Sequence, residues 1–273
     1  MALLFQSPHT EKWRLHELDA ILDSIEDEIE VAIGRNQVKT GHNFQNLILR
    51  SAGKSIVNMR EIITLVACGY PDGALSLSRN LFEQLVILVF FENKRSSSDF
   101  NNYVEDFFTD YDIQRINALI YECKKCTPDN AEGLTTLNEQ LAKVKEKRHS
   151  QKGGTYWWSG HSTFYNLTES VIESQPQDAQ HFLHVLYLHY KRACIALHAS
   201  CMGNELRLGT DPDFVGISTV QTEKGHGMPL WFATTSLNYI LGCTFTTLEL
   251  EYQKYEDALF DLISFYREKE FEK

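Results

Sequence analysis

Residues 85–91 read LVILVFF, seven apolar residues without a break, and Leu81-Phe82 comes just before them. Asp72-Gly73 opens this stretch as a helix reaching about Asn93. A helix that is apolar all round has to be enclosed by protein, because it has no face to show to water. Such an element demands several other helices around it. The chain can supply them, since 43% of its 273 residues are hydrophobic and 12% are aromatic. That content offsets the entropy of ordering the backbone and excludes intrinsic disorder. Only 15 Gly and 6 Pro are present, too few for a collagen-like, linker-rich or strand-and-turn-rich protein. The expected class is all-α.

Apolar spacing and punctuation give the element order. Ser7-Pro8 with Glu11 starts a first helix, and Leu15, Leu18, Ile21, Leu22, Ile25 and Ile29 carry it over residues 10–34. A second is expected over 40–68, stopped by Gly69-Tyr70-Pro71. After the apolar helix, Ser96–Ser98 cap a fourth running to about Cys126, and a shorter charged helix covers 134–149. Residues 150–162 (SQKGGTYWWSGHS) form a loop expected to pack on the core through Trp157 and Trp158. Helices resume over 163–174 and 177–202, with a short strand or two near 214–220 and one long helix over 229–268. No repeat or linker divides the chain. The expectation is a single multi-helix, bundle-like domain over 1–273, with the 10–34 helix as an extension on a core spanning about 40–268.

Net charge bounds the partners. Lys and Arg number 26 against 37 Asp and Glu, a formal charge of -11. That field opposes wrapping a polyanion through many phosphate contacts, though a local basic site on an acidic body is compatible with it. Lys143, Lys145, Lys147, Arg148 and Lys152 form the dense basic stretch and are read mainly as a solvated helix end, or else as a local RNA contact. Six widely spread cysteines fit a reducing cytoplasm. Cys123-x-x-Cys126 lacks the second ligand pair of a structural zinc site, and no metal or cofactor is expected. Residues 225–248 carry no charged side chain, yet their Thr, Ser and Asn residues point to a buried central helix over a membrane span.

Two helices carry the candidate site. Arg79 and Glu83 stand four apart on one face of the apolar helix. A charge in a buried helix costs several kcal/mol unless it is paired and hydrogen-bonded. The pair therefore either ties helices together or presents a guanidinium to a phosphate or carboxylate. On the 177–202 helix, Leu183, Leu186, Tyr190, Ala193 and Leu197 form a core seam. Beside it runs the stripe His184, Tyr187, Lys191, Cys194, His198 and Cys201, in which Tyr190, Cys194 and His198 are successive i,i+4 neighbours.

Three blocks carry a family resemblance. Residues 69–83 (GYPDGALSLSRNLFE) resemble the signature helix of the bacterial domain of unknown function 5677 family, with its Ala-Leu…Arg-x-x-x-Glu pattern. Trp157-Trp158-Ser159-Gly160 ahead of Phe164-Tyr165-Asn166-Leu167 is similar to the family's Trp loop and following helix. Residues 190–200 (YKRACIALHAS) resemble its Tyr-x-x-x-Ser-x-x-x-His-x-Ser block, with Cys194 in place of the first Ser. Arg192 and His198 also have the Arg-x5-His spacing of HEPN-type helical ribonucleases, with Ala193 where a polar residue is common. That second resemblance implies metal-independent RNA cleavage in a toxin or phage-defence system. His198 would then be the acid/base, Arg79 or Arg192 the phosphate ligand, Glu83 the orienting group and Tyr190 a neighbour in the site. The implied partners are RNA or a nucleotide at a local site and a partner protein or second copy, with no membrane. The alternative is a non-enzymatic sensor or interaction module whose polar cluster is structural.

Overall fold

The computed structural model describes residues 7–35, 43–197 and 225–271. Within these the chain is helical, with one 3-10 turn and no strand among the described residues, so the class is all-α. The helices are α1 (Pro8–Lys12), α2 (Leu15–Gly34), α3 (Phe44–Ala67), α4 (Pro71–Lys94), α5 (Phe100–Cys126), α6 (Ala131–Lys145), α7 (Phe164–Glu173), α8 (Gln177–Leu197), α9 (Gly227–Thr247) and α10 (Gln253–Phe271). The strand expected near 214–220 lies outside the described residues. Contacts group the chain into two compact units. One takes in the described residues of Met1–Lys39, Gln45–Leu88 and Pro176–Lys273, the other those of Thr40–Phe44 and Val89–Gln175.

The first unit holds the long amphipathic and apolar helices. In α2 the stripe Leu15, Leu18, Leu22, Ile25, Ile29 and Ala32 is buried, matching the spacing that predicts it. Ser7 caps α1, accepting from the His9 amide at 3.3 Å, with Pro8 in the first turn. The single helix expected over 10–34 is broken, because Arg14 takes a left-handed conformation at φ 52°. A non-glycine residue there costs about 1–2 kcal/mol. The break is offset by burying Trp13 and by joining the Arg14 guanidinium to Glu17 and to Asp261 of α10, at 2.5 and 2.7 Å. At the end of α3, Gly69 (φ 79°) lets the amides of Gly69 and Tyr70 bond back to Val66 and Leu65. That turn delivers Pro71 to the first position of α4.

The apolar run of α4 is enclosed as expected, with Leu81, Phe82 and Leu85–Leu88 buried in this unit. By length and composition α4 is also the one described helix apolar enough to cross a membrane, a test that buried core helices pass too. α9 is buried along almost its whole length. Two of its hydroxyls bond one turn back, Ser236 to the Phe232 carbonyl at 2.9 Å and Thr244 to that of Ile240 at 2.8 Å, while those of Thr234, Thr235 and Thr247 are buried without a hydrogen-bond partner among the described residues.

The long last helix expected over 229–268 is two helices. Glu249 sits at φ 58°, and the amides of Glu249 and Leu250 bond back to Thr246 and Phe245. No glycine or proline marks this reversal. Tyr252 holds it, donating its hydroxyl to the Asn238 backbone and side-chain oxygens (2.9 and 2.7 Å) with its ring 5.1 Å from that of Phe245. The return of α10 along α9 then brings the Glu270 carboxylate to the amide of Met228, capping the start of α9 at 3.2 Å.

The second unit is built on α5 and the Trp loop. Trp158 stacks on Phe91 at 5.5 Å and meets Phe90 and Phe107 edge-on at 5.6 and 4.9 Å. The loop backbone is fastened by Asp106, buried in α5, whose two oxygens each accept at 2.8 Å from the amides of His149 and Ser150. Gly154, at φ 102°, lies so close to Ser162 that a side chain would collide with its backbone, and the Thr155 amide bonds the Ser162 carbonyl to close the loop. The expected ring-packed loop is therefore present. α6 buries no side chain of its own and begins at Asn130, whose side chain accepts from the Gly133 amide at 2.9 Å.

Candidate functional site

Arg79, Glu83 and Tyr190 meet in the first unit. α4 places Arg79 and Glu83 one turn apart, with Nε of the guanidinium 3.4 Å from Oε1 of the carboxylate. From α8 the Tyr190 hydroxyl donates to the same Oε1 at 3.2 Å. Tyr190 is set in place by its ring, 5.3 Å from Phe82 and 5.8 Å from Tyr187, while Phe82 also packs on Phe232 of α9 at 5.8 Å. Apolar residues of three helices thus position the polar group.

The charges lie at the edge of the core, which corrects the expectation of an ion pair inside the buried helix. The side chains of Arg79 and Glu83 keep 28% and 24% of their exposure. They occupy the one flank of α4 that is not fully enclosed, so the helix tolerates them without the full penalty of a buried charge. The 3.4 Å separation is an ion pair, and Nε makes no hydrogen bond. Burial, a hydrogen bond with Cys194 and the nearby Glu83 charge all hold the Tyr190 phenol well above its ordinary value of 10. At neutral pH Tyr190 is therefore a donor, not a base.

Arg192 does not join this group. It is exposed, two residues beyond Tyr190 and so about 200° round the helix at 100° per residue. Its charge acts instead on His189, one turn back. His189 lies between α8 and α9, with its ring 5.0 Å from Trp231 and 6.0 Å from Phe232. Burial first, and Arg192 second, hold its pKa down to about 4. The sequence reading of α8 overlooked this neutral imidazole, because its burial is imposed by α9 and leaves no trace in the α8 spacing. His198 and Cys201 lie outside the described residues. Of the adjoining stripe, His184 and Lys191 are exposed and Tyr187 is buried, with the Lys191 ammonium 4.6 Å above the Tyr187 ring.

The basic stretch divides. Lys143, Lys145, Lys147 and Lys152 are exposed, but the Arg148 guanidinium lies 3.9 Å over the Trp157 ring, packed into the loop. Trp157 in turn donates its indole N–H to buried Asp110 at 2.6 Å. Among the described residues no group of three or more His, Cys, Asp or Glu is placed to hold a metal ion.

Chemically, the α4–α8 cluster offers a guanidinium whose Nε flank faces a carboxylate that is itself held by a phenol. Such an arrangement fixes a cation at a partly open surface, suited to pairing two oxygens of a carboxylate or phosphate. Neither the curated proteins nor the solved structures yielded a match to this chain, and the likeness to HEPN-type ribonucleases gains no support from the comparisons. One match stands. A family of unknown function, DUF5677, matches residues 45–215, which takes in the signature helix, the Trp loop and the 190–200 block, and the chain belongs to that family.

Proposed function

We propose that the α4–α8 cluster binds a phosphate of RNA or a nucleotide, and that the chain is a metal-independent ribonuclease-like effector of a toxin or phage-defence system in the cytoplasm. The observation that carries this reading is the engagement of Glu83 by both Arg79 and Tyr190. One carboxylate oxygen takes the Nε flank and the phenol together, and the outer edge of Arg79 has no hydrogen-bond partner among the described residues. Arg79 is the phosphate ligand in this scheme, because Arg192 faces away from Tyr190. Glu83 and Tyr190 orient Arg79, and His198 handles the 2′-hydroxyl proton. A second copy would bring two His198 side chains to one groove.

Incubation of the purified protein with total RNA in EDTA tests the reading. The expected result is cleavage by the wild type and its loss in Arg79→Ala and in His198→Ala. Intact RNA at high protein concentration overturns it.

A second reading is supported by the packing of the Tyr190 ring on Phe82 and Tyr187, which makes the cluster a polar tie between α4 and α8. The chain is then an interaction module, an assignment that its charge of -11 favours. It predicts that His198→Ala lowers the melting temperature and abolishes partner-protein binding while RNA stays intact.

A further inference from the structure

We infer that Cys123 and Cys126 form a thiol-modification site, a dithiol that a peroxide converts to an intramolecular disulfide at the corner between α5 and α6. The two cysteines stand three apart on the last turn of α5, hence on one face of it. Both line a cleft of about 680 Å3 open to solvent, together with Leu119, Glu122, Thr127 and Asn130. Their environments differ in the way such a pair requires. Cys126 is exposed and meets an incoming reagent, whereas Cys123 is half-buried and held in place. The Cys123 sulfur faces the Asn130 carbonyl at 3.8 Å and accepts from the Thr127 hydroxyl at 3.7 Å. None of Cys68, Cys194, Cys201 and Cys243 has a second cysteine within four positions.

Geometry permits closure here because the pair sits at a helix end. Residues three apart on a helix have Cβ atoms about 5–6 Å apart. A disulfide needs about 3.5–4.5 Å. Inside a helix that contraction would disturb a full turn of hydrogen bonds. After Cys126 only the Thr127 cap follows, its amide and hydroxyl donating to the Cys123 carbonyl at 3.1 and 3.2 Å, so closure loosens these cap bonds and no further turn of helix.

The chemistry balances with a peroxide as oxidant. The Cys126 thiolate attacks one peroxide oxygen, forming a sulfenic acid as the O–O bond breaks and the other oxygen leaves as water or an alcohol. The Cys123 thiolate then attacks the Cys126 sulfur, forming the S–S bond and expelling hydroxide, which takes a proton to become water. Two thiols and one peroxide give one disulfide, one water and one further water or alcohol. Oxidation also ends the Cys123 contact with the carbonyl of Asn130, the residue that caps α6.

Lysines 124 and 125 lie between the two cysteines, so trypsin separates them and peptide mapping reads the bond directly. The full chain is treated with hydrogen peroxide, alkylated with iodoacetamide and digested without reductant. The expected result is loss of two alkylatable thiols and recovery of residues 116–124 disulfide-linked to residues 126–143. Recovery of Cys123 and Cys126 both alkylated after peroxide overturns the proposal. In Cys123→Ser the sulfenic acid on Cys126 should persist and be trapped by dimedone. Absence of that adduct removes Cys126 as the reacting thiol.

Discussion

The two units each place carboxylates beside an aromatic group, and they do so with opposite consequences. In the second unit Asp106 and Asp110 are sealed in, 2% and 8% exposed, and every oxygen has a donor from a loop amide, the Trp157 indole or Gln114. In the first unit Glu83 is about one-quarter exposed and shares one oxygen between Arg79 and Tyr190. A buried carboxylate with a donor on each oxygen is closed off from any outside ligand and serves to fasten the loop. A partly exposed ion pair contributes little to stability and stays open to solvent on its outer side.

The sharpest way to break this contrast is through the second unit. Trp158→Ala removes the ring on which Phe90, Phe91 and Phe107 converge and should cost about 3–5 kcal/mol, read by denaturant unfolding. A loss under about 1 kcal/mol would show that the loop does not belong to the core. Asp106→Ala leaves two loop amides without acceptors and should cost about 2–4 kcal/mol. Retention of wild-type stability would contradict the fastening role.

Acid titration sharpens the comparison by sign. His189 is held neutral down to about 4, against an ordinary value of 6.5, so the unfolded chain binds the extra proton between those values. Stability from this group is complete above the unfolded value and falls as the pH drops through that window. Asp110 behaves oppositely. Burial raises its carboxyl above the ordinary 3.8, so its contribution is present below the unfolded value and lost as the pH rises through the native one. Melting curves from pH 7 to 4 should therefore lose part of their fall in His189→Gln, and Asp110→Asn should steepen it. An unchanged slope in His189→Gln would remove His189 as the source.

The smallest expected stability effect belongs to the candidate site itself. Tyr190→Phe removes the part-exposed hydroxyl and its bonds with Glu83 and Cys194 but keeps the stacked ring, for a loss of about 1 kcal/mol. Arg79→Ala should cost no more, since the i,i+4 pair is part-exposed and worth about 0.3–0.5 kcal/mol. A drop of several kcal/mol in either variant would move the cluster to the structural side of the comparison.

Much of this was legible along the chain. The 85–91 run dictated an enclosed helix, Gly69-Tyr70-Pro71 dictated where α3 stops, and two tryptophans beside Gly153-Gly154 dictated a loop packed by its rings. Four-residue spacing paired Arg79 with Glu83, and helix periodicity brought Tyr190 to the edge of the α8 seam. The breaks at Arg14 and Glu249 were not legible, because neither residue favours a left-handed turn by itself. Each is held there by partners far away or across a helix, Asp261 for the first and the Tyr252–Asn238 contact for the second.

Local chemistry, then, settled what repeats at short range: which segments are helices, which faces are apolar and which charges share a turn. Tertiary packing settled depth and company. It set Arg79 and Glu83 at the rim of the core, half-buried His189 under α9 and drew Arg148 onto an indole. Exposure of a side chain depends on what the rest of the chain lays over it, and that is a property of the assembled helices alone.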